Sequence, residues 1–536
     1  MKIFKVNNSS KIKIASAVLL IFIFSLIPRL AGLSKSSVTA DEPIWLTRGQ
    51  VFTSSIIHLD FKTAAHATEF QGFVGSHPGL VTAGLAGVSQ KMFVSTGIYK
   101  GPAGILYASR LPMVFLASLL IALLFFLFQK VWNFEISFTA ALLLSMAPFC
   151  IGLSRLVHLD NLLTFFMAIS IISYAAAIKT KNNNYKIISA VAFSLALLTK
   201  ITALFVPIIL VLWILYIGIS QNGLKSLRNP LKYFDLWDIS WLIIGFSIFI
   251  YSFPLMWSNP VLGFLVHLKN SVSVADSGHE AFFLGKVSDS PSKLFYPVVT
   301  FSRMTEIMIV GLFLGIVAYA ISIYKKTIKA ENVLILIWII FITLVVMREP
   351  KVGDRYLEPI WPALAMVSSL GLVNSVRFIL KKVSDKLKSF SGQVAILLVF
   401  FASIPSLYVY YPNYYLYYNN FVGGAKGAQK ITQVGFGEGH KEGFEYLSTI
   451  AKKNETVALY GYDTSAKFYY QGPLLALGDA DSDEWKKADY LAISGLSWQR
   501  NRDSKLVEYA KTHKPLKVIN FNGVQIFSIH RVKNED

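Results

Sequence analysis

The chain has 536 residues, of which 54% are hydrophobic and only 15% are charged. Ordinary soluble domains carry about a quarter charged residues, so this composition excludes a soluble protein and indicates an integral membrane protein. The net charge of +20 does not indicate a nucleic-acid partner, because the Lys and Arg residues lie in short clusters between apolar runs. The single cysteine, Cys150, excludes an intramolecular disulfide.

Apolar runs of about 20 residues are long enough to cross the hydrocarbon core of a membrane as helices. The alternative for the first run is a secretory signal peptide, but the run is long for that role and ten more runs follow it. The sequence predicts a polytopic α-helical membrane protein with about 11 transmembrane helices, near residues 14–33, 104–127, 137–153, 159–178, 187–199, 201–219, 237–256, 305–324, 332–347, 357–379 and 393–411.

The stretch 187–219 is either one long helix that contains Lys200 or two short helices that turn at Thr199 and Lys200. Two helices place the basic residues before and after the stretch on one side of the membrane, as the positive-inside rule favours. With eleven spans, nineteen Lys and Arg residues lie in inner segments and five lie in short outer connections. We therefore expect a protein of the plasma membrane with a cytoplasmic N-terminus and an extracytoplasmic C-terminus.

Three outer regions are long, and they suggest two domains. Two of these regions, 34–103 and 257–304, are loops of a transmembrane domain over residues 1–411. The third, 412–536, is large enough to fold as a small α/β extracytoplasmic domain.

Within the third region, alternating and β-branched residues predict strands at Val457–Tyr460 and Tyr490–Ile493. The segment 517–530 alternates around Asn522 and Gly523, which is a strong signal for a β-hairpin.

The first outer loop opens with Asp41, Glu42 and Pro43, so two adjacent carboxylates lie just beyond the first span. One interpretation is a helix N-terminus, with Asp41 as the cap and Pro43 in the first turn. The other is catalysis on a polar headgroup at the membrane surface, and the two roles are compatible. A neighbouring carboxylate and partial burial are both expected to raise the pKa of Asp41.

Further ionisable residues follow at the outer ends of later spans. His77 lies in the first outer loop, before a proline. Arg155, His158 and Asp160 converge where two spans meet outside, either for function or to tie the helices together. Lys200 is either an interfacial anchor or a phosphate ligand.

The outer connection that leads into the tenth span concentrates charge at Lys351, Asp354 and Arg355, followed by Tyr356. Cations on the outer side run against the topology rule, so a ligand explains them better than orientation does. The planar guanidinium of Arg355 suits an anionic phosphate.

Together these residues resemble the GT-C membrane glycosyltransferases, in particular the branch of the protein O-mannosyltransferases and the lipid A aminoarabinose transferase. The resemblance covers roughly residues 1–375, and the Tyr- and Gly-rich segment 411–439 resembles a prokaryotic subgroup with a C-terminal outer domain. The motifs that carry it are Asp41-Glu42, His77-Pro78, Arg155 with Leu159-Asp160, Leu197-Leu198-Thr199-Lys200, and Asp354-Arg355-Tyr356 leading to Pro359 and Pro362.

The resemblance implies a GT-C fold and transfer of a sugar from a polyprenyl-phosphate donor to a hydroxyl of a protein, lipid or glycan acceptor. We expect membrane lipids to surround the protein, and we do not expect a nucleic-acid partner. By the same resemblance Asp41 is the base, Glu42 and Asp160 belong to its catalytic surroundings, and Lys200 and Arg355 hold the donor phosphate. The other substrate-binding residues that it implies are His77, Arg155 and Tyr356.

Two questions stay open at the level of sequence. A divalent metal is compatible with the acidic residues and with His77 or His279, but no spacing is diagnostic, and no other cofactor is implied. The alternative function is a lipid-linked sugar transporter or flippase, which also needs many spans and buried charges. Charge that gathers at the outer loops rather than at the midplane favours the transferase.

Overall fold

The computed structural model describes residues 8–70, 72–98, 101–276 and 280–532, so His279 lies outside the described residues. The part that precedes residue 410 is almost entirely helical. Its helices are α1 (Asn8–Leu30), α2 (Glu42–Ile57), α3 (Phe61–His66), α4 (Leu80–Ser95), α5 (Gly101–Val131), α6 (Phe134–Met146), α7 (Pro148–Ser154), α8 (Asp160–Thr180), α9 (Asn184–Thr199), α10 (Phe205–Asn222), α11 (Leu236–Ser252), α12 (Pro260–Asp276), α13 (Phe295–Arg303), α14 (Glu306–Tyr324), α15 (Ala330–Val346), α16 (Trp361–Val383), α17 (Asp385–Lys388) and α18 (Ser391–Val409).

The second outer loop adds a short hairpin, and the C-terminal region adds five strands with small helices. These strands are β1 (Ala281–Phe283), β2 (Lys286–Ser288), β3 (Val457–Tyr460), β4 (Leu474–Leu477), β5 (Tyr490–Ser494), β6 (Lys517–Phe521) and β7 (Val524–Arg531). The remaining helices are α19 (Gly424–Ala428), α20 (His440–Ile450), α21 (Asp463–Ala466), α22 (Gly495–Arg500) and α23 (Lys505–Thr512).

Each predicted apolar run coincides with an apolar helix or helix pair. Seven helical segments among the described residues are long and apolar enough to cross a membrane, and the pair α6 and α7, bent by 63°, makes an eighth. The helices α9, α11 and α15 are apolar but shorter. A polytopic membrane protein is therefore confirmed, whereas the count of eleven spans and the orientation of the termini remain predictions.

The stretch 187–219 is two helices, as predicted. Helix α9 ends at Thr199, Lys200 is extended with φ −158° and ψ 143°, and a 3-10 turn at Ile201–Leu204 leads into α10. The extended backbone frees the Lys200 side chain from both helix faces.

The first outer loop is helical and closely packed. Helices α2 and α4 cross at Gly49 and Gly87, where a Cβ on Gly87 would lie 2.0 Å from the carbonyl oxygen of Gly49. This contact fixes α2, and α2 carries Asp41 at its N-terminus.

The C-terminal strands form one mixed sheet in the order β4-β3-β5-β7-β6. Strand β3 is parallel to β4 and β5, whereas β7 is antiparallel to β5 and β6. The strands predicted from sequence are present, and the hairpin turns at Asn522 and Gly523 with positive φ values of 48° and 76°. Strand β4 was not predicted.

Both faces of the sheet are covered, because alternate residues of each strand point to opposite sides. Val457 and Leu459 pack with α20, whereas Ala458 packs with Leu506 and Val507 of α23.

Hydrogen bonds connect the C-terminal region to the segment that precedes Asp41. The Ala40 N–H donates to the Phe436 carbonyl at 3.0 Å, and the Val38 N–H donates to the Tyr469 hydroxyl at 2.7 Å. The Ser465 hydroxyl donates to the Thr39 carbonyl at 3.1 Å. These bonds hold the C-terminal region against the segment between α1 and α2.

Candidate active site

A cavity of about 350 Å³ lies between the C-terminal region and the ends of the membrane helices that face it. This volume is in the usual range for a small-molecule site. Its charged lining consists of five cations and three carboxylates: Arg48, Lys200, Lys351, Arg355, Arg500, Asp41, Asp160 and Asp354.

Asp41 faces this cavity from the N-terminus of α2. It occupies the N-cap position, but its side chain makes no capping hydrogen bond. Its Oδ2 accepts a hydrogen bond from Arg355 Nη2 at 2.9 Å, and His158 Nε2 lies 3.4 Å from the same oxygen. The side chain is 35% exposed, so it remains accessible to a ligand.

The charges around Asp41 determine its pKa. Burial raises the pKa of this carboxyl, but Arg355, His158 and Lys351 outweigh that effect and hold the pKa below its ordinary value. The predicted rise is therefore wrong. A main reason is that the cations of the cavity were not recognised as neighbours of Asp41.

Asp160 and Arg355 complete a network with Asp41. Asp160 is the first residue of α8, and its Oδ1 accepts a hydrogen bond from Lys200 Nζ at 2.9 Å. Its Oδ2 lies 3.1 Å from Arg355 Nε and 3.3 Å from His158 Nδ1. Arg355 and His158 thus each bridge the two carboxylates, and residues from four segments of the sequence meet at one point.

Glu42 points away from the cavity although it is adjacent to Asp41. Its carboxylate is fully buried, where Arg110 Nε donates to it at 2.7 Å and the Thr39 and Val157 N–H groups donate at 2.9 and 3.0 Å. Arg110 also binds the carbonyl of Ser37 at 2.7 Å. The structure therefore places Glu42 in a buried clamp that fixes the loop around Asp41, and not among the cavity-lining residues.

Arg155 also lies apart from the other predicted site residues. It is buried, it donates to the Pro412 carbonyl at 3.1 Å, and its guanidinium lies 5.2 Å from the ring centroid of Tyr414. Its contacts hold the segment after α18 and do not reach the cavity.

His77 and Tyr356, which the resemblance implies as substrate-binding residues, both line the cavity. Lys200 Nζ lies 4.8 Å from the ring centroid of Tyr356. Burial, together with the cations Lys200, Arg48 and Lys351, lowers the pKa of His77 to about 3. The imidazole of His77 is therefore uncharged at physiological pH and forms a neutral polar part of the cavity lining.

Several lining residues were missed. Lys351 makes no ion pair with a carboxylate among the described residues, and burial together with Lys200 and Arg355 lowers its pKa. Arg355 also lies 4.7 Å from the ring centroid of Phe436. The sequence showed Lys351 as an outer cation that a ligand explains but did not assign it to the site, and it showed Phe436 only as part of a Gly-rich tract. The sequence did not indicate that Arg48 lines the site. Its guanidinium lies 4.7 Å from the centroid of the Trp45 ring.

An apolar groove of about 340 Å³ adjoins the polar cavity. Its apolar walls come from α8, α10 and α15, through residues such as Leu163, Phe205 and Val346. The groove and the cavity share a set of polar residues at their junction, namely His77, Asp160, Lys200, Lys351 and Tyr356.

A metal site is not evident in the described ranges, where no three His, Cys, Asp or Glu side chains lie together in a way that could hold an ion. The proposed alternative ligand His279 is outside those ranges.

Residues 106–253 match the model of the dolichyl-phosphate-mannose-protein mannosyltransferase family. Comparison with the curated proteins gave no match. Among solved structures, the oligosaccharyltransferase of Archaeoglobus fulgidus in its apo form superposes with a TM-score of 0.53 at 12% identity, over 94% of this chain and 72% of that chain.

The same archaeal enzyme, AglB, in complex with an inhibitory peptide and a dolichol-phosphate gives a TM-score of 0.53 at 12% identity, over 95% of this chain and 73% of that chain. ArnT from Cupriavidus metallidurans bound to undecaprenyl phosphate gives 0.49 at 13% identity, over 98% of both chains. Identities this low establish the fold alone. The chain is a polytopic membrane protein with the fold of the GT-C glycosyltransferases.

Proposed function

We propose that this protein is a membrane glycosyltransferase that moves a sugar from a polyprenyl-phosphate donor to an acceptor hydroxyl at the outer face of the plasma membrane. The observation that carries the proposal is the junction of the apolar groove with the polar cavity, where Lys200 and Lys351 line both. An amphiphile with a long apolar chain and an anionic head fits this arrangement. AglB, which shares the fold, was solved with a dolichol-phosphate.

The cations at the junction suit a phosphate. Lys351 has no carboxylate partner among the described residues, and Lys200 engages only one, Asp160. A charge-assisted hydrogen bond to phosphate is about twice as strong as a neutral one, and it needs a cation that is free to donate. In our proposal the phosphate lies between Lys200 and Lys351, with the prenyl chain in the groove.

Asp41 acts as the base in this proposal. The acceptor oxygen attacks the anomeric carbon and forms the new glycosidic bond, while the bond from that carbon to the phosphate oxygen breaks. The electron pair of the breaking bond leaves with polyprenyl phosphate, and the acceptor proton passes to Asp41. Cations at the departing phosphate stabilise the charge that develops there.

Arg355 couples donor binding to the strength of this base. In the described structure its guanidinium is held by Asp41 and Asp160, and it lowers the pKa of Asp41. A donor phosphate that draws Arg355 away weakens this effect, so the pKa of Asp41 rises once the donor is bound. The base then becomes stronger when a lipid phosphate occupies the junction.

The acceptor enters from the C-terminal side, because Phe436, Tyr462 and Arg500 line the cavity there and none of them lines the groove. It is a hydroxyl of a protein, a lipid or a glycan.

Binding of polyprenyl phosphate to the purified protein tests the proposal. Lys351→Ala should weaken this binding roughly ten- to hundredfold, the value of a charge-assisted hydrogen bond to phosphate. The matched control is Lys453→Ala, because Lys453 is exposed in the C-terminal region and lines neither cavity nor groove. Equal affinity of the Lys351→Ala and wild-type proteins would remove the junction as the phosphate site.

A further inference from the structure

The wall of the cavity that faces away from the membrane includes, among the polar side chains of the C-terminal region, Gln433, Tyr462 and Arg500. None of them lines the apolar groove. This wall is therefore separate from the junction at which we place the donor phosphate.

The cavity lining contains more cations than its carboxylates can pair with, and one of the unpaired cations lies at this wall. Asp41 and Asp160 are paired with Arg355 and Lys200, and Asp354 is paired with Arg303, which lies outside the cavity. Three lining cations then remain without a carboxylate partner among the described residues: Arg48, Lys351 and Arg500.

The donor phosphate accounts for only part of this excess. Lys351 lies at the junction and faces the donor, and Arg48 is covered by the rings of Trp45 and Phe70, with its hydrogen bond to the Glu69 carbonyl. Arg500 lies at the opposite wall, away from the donor phosphate. Within the described ranges it has neither a ring contact nor a hydrogen bond to a backbone carbonyl. Its positive charge is unexplained by a donor with a single phosphate.

Two buried donors at this wall also lack acceptors. Arg500 Nη2 donates to Gln433 Oε1 at 3.1 Å, which orients both side chains. The Nε of Arg500 and the Nε2 of Gln433 are buried and have no hydrogen-bond partner in the part of the chain that the structure describes. An anionic ligand in the cavity would offer acceptors to these two donors, which lie beside a guanidinium without a carboxylate partner among the described residues.

The wall is rigidly held in this arrangement. Gln499, next to Arg500, donates to the carbonyls of Gln429 and Thr432 at 3.0 and 2.9 Å, and accepts from the Val434 N–H at 2.8 Å. These bonds fix the segment that carries Gln433 against the end of α22.

Tyr462 is held in a costly backbone conformation at the same wall. Its φ is +61°, in the left-handed region that a non-glycine residue rarely adopts, and such strain is concentrated at functional sites.

We propose that Arg500, together with Gln433 and Tyr462, forms an anion subsite that binds a phosphate or carboxylate group of the acceptor. This inference rests on the proposed function, because the junction is assigned to the donor. A guanidinium binds either oxyanion through parallel N–H donors, and the side-chain amide and the phenol add further hydrogen bonds. The acceptor is then a hydroxyl compound that carries an acidic group within reach of the cavity.

The test is calorimetric titration of inorganic phosphate into the purified full-length protein that has first been saturated with polyprenyl phosphate. Saturation blocks the junction, so only the second subsite is measured. The wild-type protein should bind phosphate, and Arg500→Gln should bind it roughly ten- to hundredfold more weakly. Arg500→Lys, which keeps the charge but not the planar geometry, should lie between them.

The matched control is Arg502→Gln, since Arg502 is exposed, pairs with Asp503 and does not line the cavity. Absence of phosphate binding to the saturated wild-type protein, or equal binding by Arg500→Gln, would overturn the subsite. Failure of the proposed function has a different signature, because the first step, saturation with polyprenyl phosphate, would then show no binding. In that event phosphate is titrated into the unsaturated protein, and the dependence on Arg500 decides for or against the subsite.

Discussion

The two walls of the cavity are built in different ways. At the membrane wall each carboxylate already has a cation, as Asp41 and Asp160 share Arg355. At the C-terminal wall, Arg500 and Gln433 have donors without acceptors among the described residues. The two walls differ in charge pairing: the carboxylates of the membrane wall are neutralised by neighbouring cations, whereas Arg500 at the C-terminal wall has no carboxylate partner among the described residues.

The largest effect is expected from Asp41→Asn at the membrane wall. Because the Asp41 side chain makes no capping bond, its replacement leaves α2 intact, and it removes the base together with the negative charge that pairs with Arg355 and His158. Turnover at saturating donor should fall by roughly 10² to 10⁴, the usual contribution of a positioned general base. The exposed Asp479 provides the control variant Asp479→Asn. Near-normal turnover of Asp41→Asn would shift the role of the base to Asp160.

Glu42→Gln tests whether Glu42 has a structural role while the adjacent Asp41 has the catalytic one. The change leaves the buried Arg110 without its counter-charge, and breaking such a pair costs about 3 to 5 kcal/mol of stability. Thermal unfolding should therefore show a marked loss of stability, and the remaining folded protein should keep most of its turnover. A stable Glu42→Gln protein with turnover as low as that of Asp41→Asn would place Glu42 in the chemistry instead.

Arg355→Ala should alter both donor affinity and the pH profile. Loss of the guanidinium removes a charge-assisted hydrogen bond, so donor binding should weaken roughly tenfold or more. It also removes the main cation that lowers the pKa of Asp41, so this carboxylate becomes protonated at a higher pH than in the wild type. The acid limb of kcat/KM should therefore move to higher pH. An unchanged limb would show that Arg355 does not control Asp41.

The smallest effect is expected from Lys351→Arg, and it depends on pH. Burial and the neighbouring cations lower the pKa of Lys351, so its charge is lost at a lower pH than that of an ordinary lysine. Arginine stays charged throughout, so donor binding by Lys351→Arg should persist into alkaline conditions in which wild-type binding declines. Identical alkaline limbs for the two proteins would exclude Lys351 as the titrating group.

The sequence predicted the membrane part of the fold well, because apolar length and charge distribution are local properties. The break between two helices at Thr199 and Lys200 was predicted from the side of the membrane on which the flanking basic residues lie. The hairpin was predicted from Asn522 and Gly523. Strand β4 was missed because three of its four residues are not buried and it lacks a distinct alternation.

The sequence singled out four residues that the structure brings together at the membrane wall, but not how they pair. Asp41, Asp160, Lys200 and Arg355 do meet, yet the turn of Glu42 toward Arg110 was not foreseen. Arg110 is 68 positions away, within a helix that is apolar on all sides, so the sequence did not show which face it occupies.

The C-terminal wall could not be predicted at all. Gln433, Tyr462 and Arg500 become neighbours only through the tertiary fold of the C-terminal region, and none of them belongs to a local motif. Their roles depend on long-range contacts such as the bonds from Gln499 to the segment 429–434.

The measurement that tests the account most directly is the fate of a polyprenyl-phosphate donor with a radiolabelled sugar, incubated with the purified protein in vesicles and an envelope extract as the source of acceptor. Glycosyl transfer predicts that the label leaves the lipid and that free polyprenyl phosphate accumulates with the wild type, while Asp41→Asn leaves the donor uncleaved. Recovery of the labelled donor intact on the opposite side of the vesicle membrane, in equal amounts for both proteins, would contradict the account and identify a flippase.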